Sequence, residues 1–177
     1  MSTGDNFWNF SLAVYRQSGV PDECLALQER LGADVNLLLL CAYLGAKQNV
    51  LLDSNDIESV AAASSAWHVD VVRNLRAARQ ALKPWEEGRD QRLQDNARAL
   101  RSAVKKLELD AERIEHDLLA DWANERGFTP SSPEIAVPAN IRTLLTYYAR
   151  QNTDTEQDTM ALLPTRLMTA ALSLSAA

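Results

Sequence analysis

The stretch DVNLLLLCAYLGAKQ, residues 34–48, decides the fold of this chain. Every residue from Leu37 to Leu44 is apolar. A helix that spans a membrane needs about 20 apolar residues, and this run ends well short of that length at Lys47. A helix with apolar residues on nearly every side lies in the middle of its protein. We therefore predict a central buried helix, capped by Asp34, in which Gly45 allows a neighbour to approach closely.

The composition predicts an all-α fold, a compact multi-helix bundle. Gly and Pro number only six each among 177 residues, and alternating β-branched runs of the strand type are missing. The N-terminal MSTGDNFWNF has no positive region followed by an apolar one. Cys24 and Cys41 lack C-x-x-C spacing and are expected to be buried, reduced thiols. These features indicate a cytoplasmic protein.

Two helices are predicted before the central one. The first begins after Asp5, as its N-cap, and runs to about Arg16. The second begins at Pro21 and ends at Gly32, since proline suits the first helical position and glycine the C-cap. Helical spacing gives their inner faces as Phe7, Phe10, Ser11 and Val14 in the first helix, and Cys24, Leu27 and Leu31 in the second.

Two longer periodic segments predict an antiparallel hairpin, over about residues 56–83 and 88–125, broken by KPWEEG at 83–88. The first segment places one apolar face on Ile57, Val60, Ser64, Trp67, Val71, Leu75, Ala78 and Leu82. The second carries a heptad seam of Leu93, Ala97, Leu100, Val104, Leu107, Ala111, Ile114 and Leu118. Such a seam packs lengthwise against a partner helix, for which the first segment is nearest. Pairing of this seam between two chains, as a homodimer, stays open.

The chain after residue 126 changes character, so we assign residues 1–126 to the helical bundle and 127–177 to an appended segment. It contains a connector (FTPSSPEIAVP), a short amphipathic helix over 138–151, a polar and loose NTDTEQDT, and an apolar end interrupted by Pro164. The apolar end is either a docking helix or a frayed tail.

No pattern of catalytic, metal or cofactor residues is recognisable. Glycine-rich phosphate loops are missing, and His68 and His116 have no cysteine pair nearby for zinc. A di-iron bundle needs Glu-x-x-His steps, but Arg113 and Ser65 stand three residues before the histidines. Glu108, Glu112 and Glu115 are interpreted as part of a solvated acidic face. Cys41 has no visible base. We therefore expect no catalytic residue, no metal and no cofactor.

The charges are polarised along the predicted hairpin. Residues 73–106 hold ten basic and four acidic residues, whereas residues 107–125 hold one basic and seven acidic residues. Folded back on itself, the hairpin has a positive tip and a negative base. The candidate partner-binding residues at the tip are Arg73, Arg76, Arg79, Lys83, Arg98 and Arg101.

Three interpretations of this charge pattern compete: ordinary solvated faces, a docking surface for an acidic protein, and weak binding of nucleic-acid phosphates. The net charge of −6 argues against the third as the main role. Our leading functional hypothesis is a non-enzymatic helical interaction protein, an adaptor or regulator. The rival is an enzyme or small-ligand binder with an apolar core pocket, lined by Trp8, Tyr15, Tyr43 and Trp67.

Several ordered motifs carry a resemblance: FWNFSLAVY at 7–15, LALQERLGADVNLLLLCAYLGAK at 25–47, Trp67, VVRNLRAARQALK at 71–83 and KKLELDAERIEHDLL at 105–119. In these motifs the chain resembles a family of small proteobacterial proteins known only as a domain of unknown function. The resemblance spans roughly residues 7–120. It implies an all-helical fold in a bacterial, cytoplasmic setting, and it implies no activity, cofactor or catalytic residue.

Overall fold

The computed structural model describes residues 3–87, 90–152 and 161–175. It confirms the all-α prediction, with one small antiparallel sheet in addition. The elements in chain order are α1 (Thr3–Tyr15), α2 (Val20–Leu31), α3 (Val35–Gln48), β1 (Val50–Leu51), α4 (Ser54–Trp67), a π-helical segment (His68–Val72), α5 (Arg73–Leu82), a 3₁₀ turn (Lys83–Glu87), α6 (Gln91–Asn124), β2 (Thr129–Pro130), α7 (Pro133–Asn152) and α8 (Thr165–Ser173).

Helix α3 is the central buried helix that the sequence predicts. All its residues from Asn36 to Ala46 are buried, and the Asp34 side chain caps it by accepting from the backbone N–H of Asn36 at 2.8 Å. The close neighbour at Gly45 is α7. A methyl group on Gly45 would lie 2.8 Å from the backbone nitrogen of Val137, closer than real packing permits.

The predicted inner faces of α1 and α2 are confirmed as part of the core, and Gly32 ends α2 in the left-handed conformation. Asp5 is not the N-cap of α1, because the helix begins at Thr3 and Asp5 lies in its first turn. The Asp5 carboxylate instead accepts a hydrogen bond from Arg113 of α6 at 2.5 Å. Cys24 and Cys41 are buried free thiols, as expected.

The hairpin is confirmed: α4, the π-helical segment and α5 run continuously against α6, and the Trp67 indole donates to the Ala111 carbonyl at 3.0 Å. The predicted inner position Val71 is wrong, since Val72 is fully buried and Val71 only half-buried. A π-helical turn holds one residue more than an α-helical turn. The inward-facing positions after His68 therefore move by one residue, from Val71 and Ala78 to Val72 and Arg79, and the predicted inner position Ala78 is exposed.

The heptad seam of α6 is only partly buried. Ala97 and Ala111 are buried, whereas Leu93, Leu100, Leu107, Ile114 and Leu118 are 39–54% exposed; we call these five residues the apolar stripe. The half of α6 before residue 107, next to the turn, packs against α5. The rest of the bundle does not cover this half. In this arm, the described residues 73–87 and 90–107, the single buried residue is Ala97.

The C-terminal helices share the core of the preceding helices. Leu144 and Leu145 of α7 and Leu167 of α8 are buried in one cluster with α3, so the apolar end forms a docking helix. Helix α7 begins at Pro133, earlier than the predicted residue 138, because Pro133 suits a first helical turn and Pro138 is accommodated in the second. The polar stretch at 152–159 lies outside the described residues except for Asn152.

Among the described residues, we find no helix with the length and apolar character that crossing a bilayer requires.

Candidate functional site

Three ionisable side chains from three different elements meet between α3, α4 and α6. They are Asp34 at the N-cap of α3, His68 at the start of the π-helical segment, and Glu115 of α6. His68 Nδ1 lies 3.0 Å from Glu115 Oε1 and 3.3 Å from Asp34 Oδ2. These three atoms all lie within 4.8 Å of one another. We call the three residues the buried cluster.

Local structure fixes each member of the buried cluster. Asp34 is held by its capping bond to Asn36, and its own backbone N–H donates to the Tyr148 hydroxyl at 3.0 Å. His68 occupies the first position of the π-helical segment, which is a feature often found at functional sites. Glu115 lies on the face of α6 turned towards α3, and its side chain is fully buried.

A second layer of hydrogen bonds supports Glu115. The Asn36 amide donates to Glu115 Oε2 at 2.5 Å, and Asn36 Oδ1 lies 3.1 Å from His116 Nε2. Because Asn36 Oδ1 can only accept, the His116 proton belongs on Nε2. Burial, together with Arg113, lowers the pKa of His116 to about 3, so this imidazole is neutral. It stacks on Phe7 with ring centroids 4.2 Å apart.

The electrostatics of the buried cluster are unbalanced. Burial and the neighbouring Glu115 raise the pKa of Asp34 to about 7. Burial alone would lower the pKa of His68, but its hydrogen bond to Glu115 and the charges of both carboxylates outweigh it and raise the pKa. The single N–H at Nδ1 is taken by Glu115, the nearer acceptor. Asp34 Oδ2 is buried without a hydrogen-bond partner.

The buried cluster is reached from two clefts. One, of about 150 Å³, is lined by Asp34 and His68 together with Ser64, Tyr147 and Tyr148. The other, of about 270 Å³, lies between α2 and α5 and is lined by His68 together with Gln28, Arg73 and Arg76. Small molecules or ions therefore have a route to His68.

The prediction of a solvated acidic face is wrong. Glu108 and Glu115 are buried, and Glu112 is half-buried. Arg76 donates to Glu108 at 3.0 Å and to Glu112 at 2.8 Å, and Arg79 pairs with Glu108 as well. The acids lie against α3 and α5 because cationic and polar partners on those helices compensate their burial.

The six candidate partner-binding residues do not form one free surface. Arg76 and Arg79 are held by Glu108, as described. Arg101 pairs with Glu86 at 3.3 Å and Arg98 with Asp95 at 3.0 Å. Arg73 and Lys83 are exposed and make no ion pair with any residue that the structure describes.

The four aromatic residues proposed for a pocket separate into three places. Trp8 and Tyr15 line one cleft of about 180 Å³, together with Ser11 and His116. Tyr43 packs against Phe7 and Phe10 instead, with ring centroids 5.2 and 5.4 Å away. Trp67 is engaged with the Ala111 carbonyl of α6.

Sequence reasoning missed the buried cluster because its members are distant along the chain. The sequence predicts Asp34 as a helix cap and shows His68 as a histidine without a nearby cysteine pair. Only the π-helical segment and the packing of α6 bring them together with Glu115, and neither leaves a local pattern.

Comparison with known proteins gives one assignment. Neither the curated proteins nor the solved structures contain a significant match to this chain. The model of the family described as "Protein of unknown function (DUF2390)" matches residues 6–119, which include most of α1, all of α2 to α5, most of α6 and all three members of the buried cluster. The chain therefore belongs to the DUF2390 family.

Proposed function

We propose that this protein is a non-enzymatic helical interaction protein, whose binding surface is the apolar stripe of α6 and whose partner there is the same stripe of a second copy. The observation that carries the proposal is the apolar stripe. Leu93, Leu100, Leu107 and Ile114 recur at intervals of seven residues and are exposed. A row of exposed apolar side chains along one face of a helix suits an interaction site.

The spacing of the stripe fits an identical helix running antiparallel. If Leu100 lies opposite Leu107 of the second copy, then Leu93 lies opposite Ile114, and a two-fold axis passes between residues 103 and 104. A two-fold interface requires this self-complementarity. A repeat of seven residues is also the spacing that lets two helices pack along their length.

The charges beside the stripe favour the antiparallel arrangement. Arg92 and Asp117 are both exposed. Arg92 precedes Leu93 by one residue, and Asp117 follows Ile114 by three residues. Both therefore lie on the same side of the stripe. In the antiparallel pair, Arg92 comes within reach of Asp117 of the second copy. A parallel pair would instead place the basic half of α6 beside the basic half of the second copy. The sequence predicts an acidic partner for the basic tip. In this proposal that partner is the acidic half of α6, residues 107–124, in the second copy.

The expected affinity is weak. Burying the exposed half of a leucine side chain contributes about 1 kcal/mol, so the four paired residues of each copy contribute about 8 kcal/mol before the cost of association. With that cost at its lower end, about 4 kcal/mol, about 4 kcal/mol remains, which corresponds to a Kd of roughly 1 mM. The free thiols of Cys24 and Cys41 support a cytoplasmic setting for it.

The oligomeric state tests this function. By sedimentation velocity, we expect a concentration-dependent dimer that Leu100→Glu with Leu107→Glu converts to a monomer. Ile135→Glu, at an exposed isoleucine of α7, is the control and should leave the dimer intact. A wild-type protein that shows no dimer at roughly 2 mM, above the expected Kd, overturns the proposal.

A charge exchange identifies the partner. Asp117→Arg should weaken the dimer at low salt, and Arg92→Asp added to it should restore the dimer, since the two variants complement each other only between two copies. The contact of Asp117 with Arg113 within one chain, at 3.9 Å, is not restored by the second change. Failure of the double variant to recover would contradict the antiparallel pair and favour a different acidic protein at the arm.

A second candidate function is binding of a small molecule in the cleft beside Trp8 and Tyr15. It is favoured by two buried polar atoms without partners, Ser11 Oγ and His116 Nδ1, on residues that both line this cleft. A ligand with an apolar body and one or two polar groups would suit it. Fragments screened by NMR should perturb the Trp8 indole, and Ser11→Leu, which fills the cleft, should abolish the effect. Perturbations that persist in this variant would place the ligand elsewhere.

A further inference from the structure

We infer that the buried cluster is a binding site for one divalent transition-metal ion, held by Asp34 Oδ2, His68 Nδ1 and Glu115 Oε1. The inference is independent of the arm and of the function proposed for it. It departs from the sequence-based expectation of no metal, which rested on the missing local spacing of ligands.

The distances suit a shared ion. Metal–ligand bonds of about 2.0–2.2 Å separate adjacent ligand atoms by about 3.0 Å in an octahedron and about 3.4 Å in a tetrahedron. His68 Nδ1 lies 3.0 Å from Glu115 Oε1 and 3.3 Å from Asp34 Oδ2, so both separations correspond to polyhedron edges. The two carboxylate oxygens face each other within 4.8 Å and can adjust to either geometry.

A buried atom without a hydrogen-bond partner, Asp34 Oδ2, supports the same site. Asp34 is 4% exposed, and its Oδ2 has no hydrogen-bond partner although it faces the cluster. A buried carboxylate oxygen without a partner is costly. The imidazole N–H cannot satisfy it, because that proton is donated to Glu115. A metal ion in place of the proton contacts both carboxylates and the ring nitrogen at once.

The charge balance also favours an ion. When Asp34 and Glu115 are both ionised, an imidazolium at His68 still leaves the group with a net charge of −1. A divalent ion bound by two carboxylates and a neutral imidazole brings the group to zero. Buried charges are stable only when they are compensated in this way.

The outer oxygens of both carboxylates are already engaged. Asn36 donates its backbone N–H to Asp34 Oδ1 and its side-chain amide to Glu115 Oε2. Each carboxylate is thus oriented with one oxygen left for the ion. Hydrogen bonds of this kind are characteristic of metal sites, where they fix the direction of the ligands.

The ligand set selects the class of ion. One imidazole nitrogen and two carboxylate oxygens suit Zn²⁺, Mn²⁺, Fe²⁺ or Co²⁺, whereas an all-oxygen site would suit Ca²⁺ and thiolates would suit Cu⁺. The cleft of about 150 Å³ beside Asp34 and His68 provides space for water to complete the coordination.

Titration of the metal-free chain tests the inference. The full chain, without a polyhistidine tag and treated with EDTA, is titrated with ZnCl₂ and MnCl₂ by calorimetry and with CoCl₂ by visible absorption. We expect saturable binding of one ion per chain for at least one of the three metals, with d–d bands for bound Co²⁺ if cobalt binds. Binding should also raise the Tm, since the ion binds only the folded chain.

Variants and matched controls localise the ion. Asp34→Asn keeps a helix cap and removes the charge, and Glu115→Gln and His68→Asn each remove one ligand. Each should weaken binding at least tenfold. The controls Asp53→Asn, at the exposed cap of α4, and Glu112→Gln, one turn from Glu115, should change affinity less than about twofold.

Two results overturn the inference. One is a folded wild-type chain that binds none of the three metals at one ion per chain. The other is unchanged affinity in both Asp34→Asn and Glu115→Gln. Circular dichroism identifies variants that do not fold, and for these the remaining two ligand variants decide.

Discussion

The side-chain amide of Asn36 donates to Glu115 Oε2 at 2.5 Å and so joins the central helix to α6 in the interior of the protein. The same amide oxygen lies 3.1 Å from His116 Nε2. One polar residue in the buried part of α3 therefore satisfies two neighbouring residues of α6, and it fixes how these two helices are aligned.

Replacement of Asn36 by alanine should destabilise the protein more than its size suggests. Glu115 Oε2 and His116 Nε2 would both lose their partner inside the core, at a cost of about 1–3 kcal/mol for each buried group. We expect the free energy of unfolding, from urea titration, to fall by about 2–5 kcal/mol. The control is Asn74→Ala, because exposed Asn74 donates only to the Asp70 carbonyl. Equal effects of the two variants would contradict the role given to Asn36.

Gly45→Ala should be destabilising although alanine is the better helix former. The new methyl group would lie 2.8 Å from the backbone nitrogen of Val137, so α3 and α7 would have to separate. Overpacking of this kind costs about 1–3 kcal/mol. The measurement is the shift of the urea midpoint against Gly127→Ala, where nothing lies within 4 Å of the added carbon. A neutral or stabilising Gly45→Ala would show that the helices do not pack this closely.

Glu108 should contribute stability that depends on pH. Burial raises its pKa, but hydrogen bonds from Arg79 and Arg76 outweigh this, and the folded-state pKa lies below the ordinary value of 4.5. Its charged form is therefore favoured by folding. Stability from this residue is fully present above about pH 4.5 and is lost as the pH falls through the lower, folded-state value.

The comparison is between the wild type and Glu108→Gln. We expect the variant to be less stable by about 1–3 kcal/mol at pH 7, because two arginine side chains lose a buried anion, and we expect this difference to shrink towards pH 3. Asp95→Asn, at the exposed pair with Arg98, should change stability by less than about 1 kcal/mol at both pH values. A difference that stays constant with pH would exclude the ion pair as its cause.

The two cysteines should be unreactive in the folded protein. Burial raises the pKa of Cys24 to about 12, and burial also raises the pKa of the Cys41 thiol. Only the thiolate attacks alkylating reagents. We expect iodoacetamide at pH 8 to label neither thiol without denaturant and both in 6 M guanidinium, as counted by mass spectrometry. Rapid labelling of Cys41 in the native state would show that α3 is not the closed centre of the core.

Much of this fold follows from local patterns. Asp34 and Gly32 bound their helices as capping chemistry requires, and the run Leu37–Leu44 has nowhere to lie except the interior. These are short-range features, so one sequence is enough to recognise them. The sequence predicts the start of α7 too late because two prolines, Pro133 and Pro138, fall within a single helix.

The predictions that are wrong concern burial and exposure at positions where distant segments of the chain meet. The seam of α6 has the period of a helix that packs along its length. Periodicity does not show that the rest of the bundle ends near Leu107 and leaves Leu93 and Leu100 exposed. Glu115 reads as part of an acidic face until Asn36 and His68, from two other helices, are seen to face it. Trp8 and Tyr15 share a cleft because both lie on one helix, a relation that local spacing can indicate.

The π-helical segment His68–Val72 has a consequence for how the arm is aimed. It amounts to one extra residue in an otherwise regular helix, and each residue of a helix turns the chain by about 100°. Removal of a single residue here would restore an ordinary helix and rotate everything beyond it by that angle. Arg76 and Arg79 would turn away from Glu108, and the arm would present a different side to its surroundings. The length of the helix at this point, to a single residue, thus determines how the arm is rotated relative to the rest of the protein.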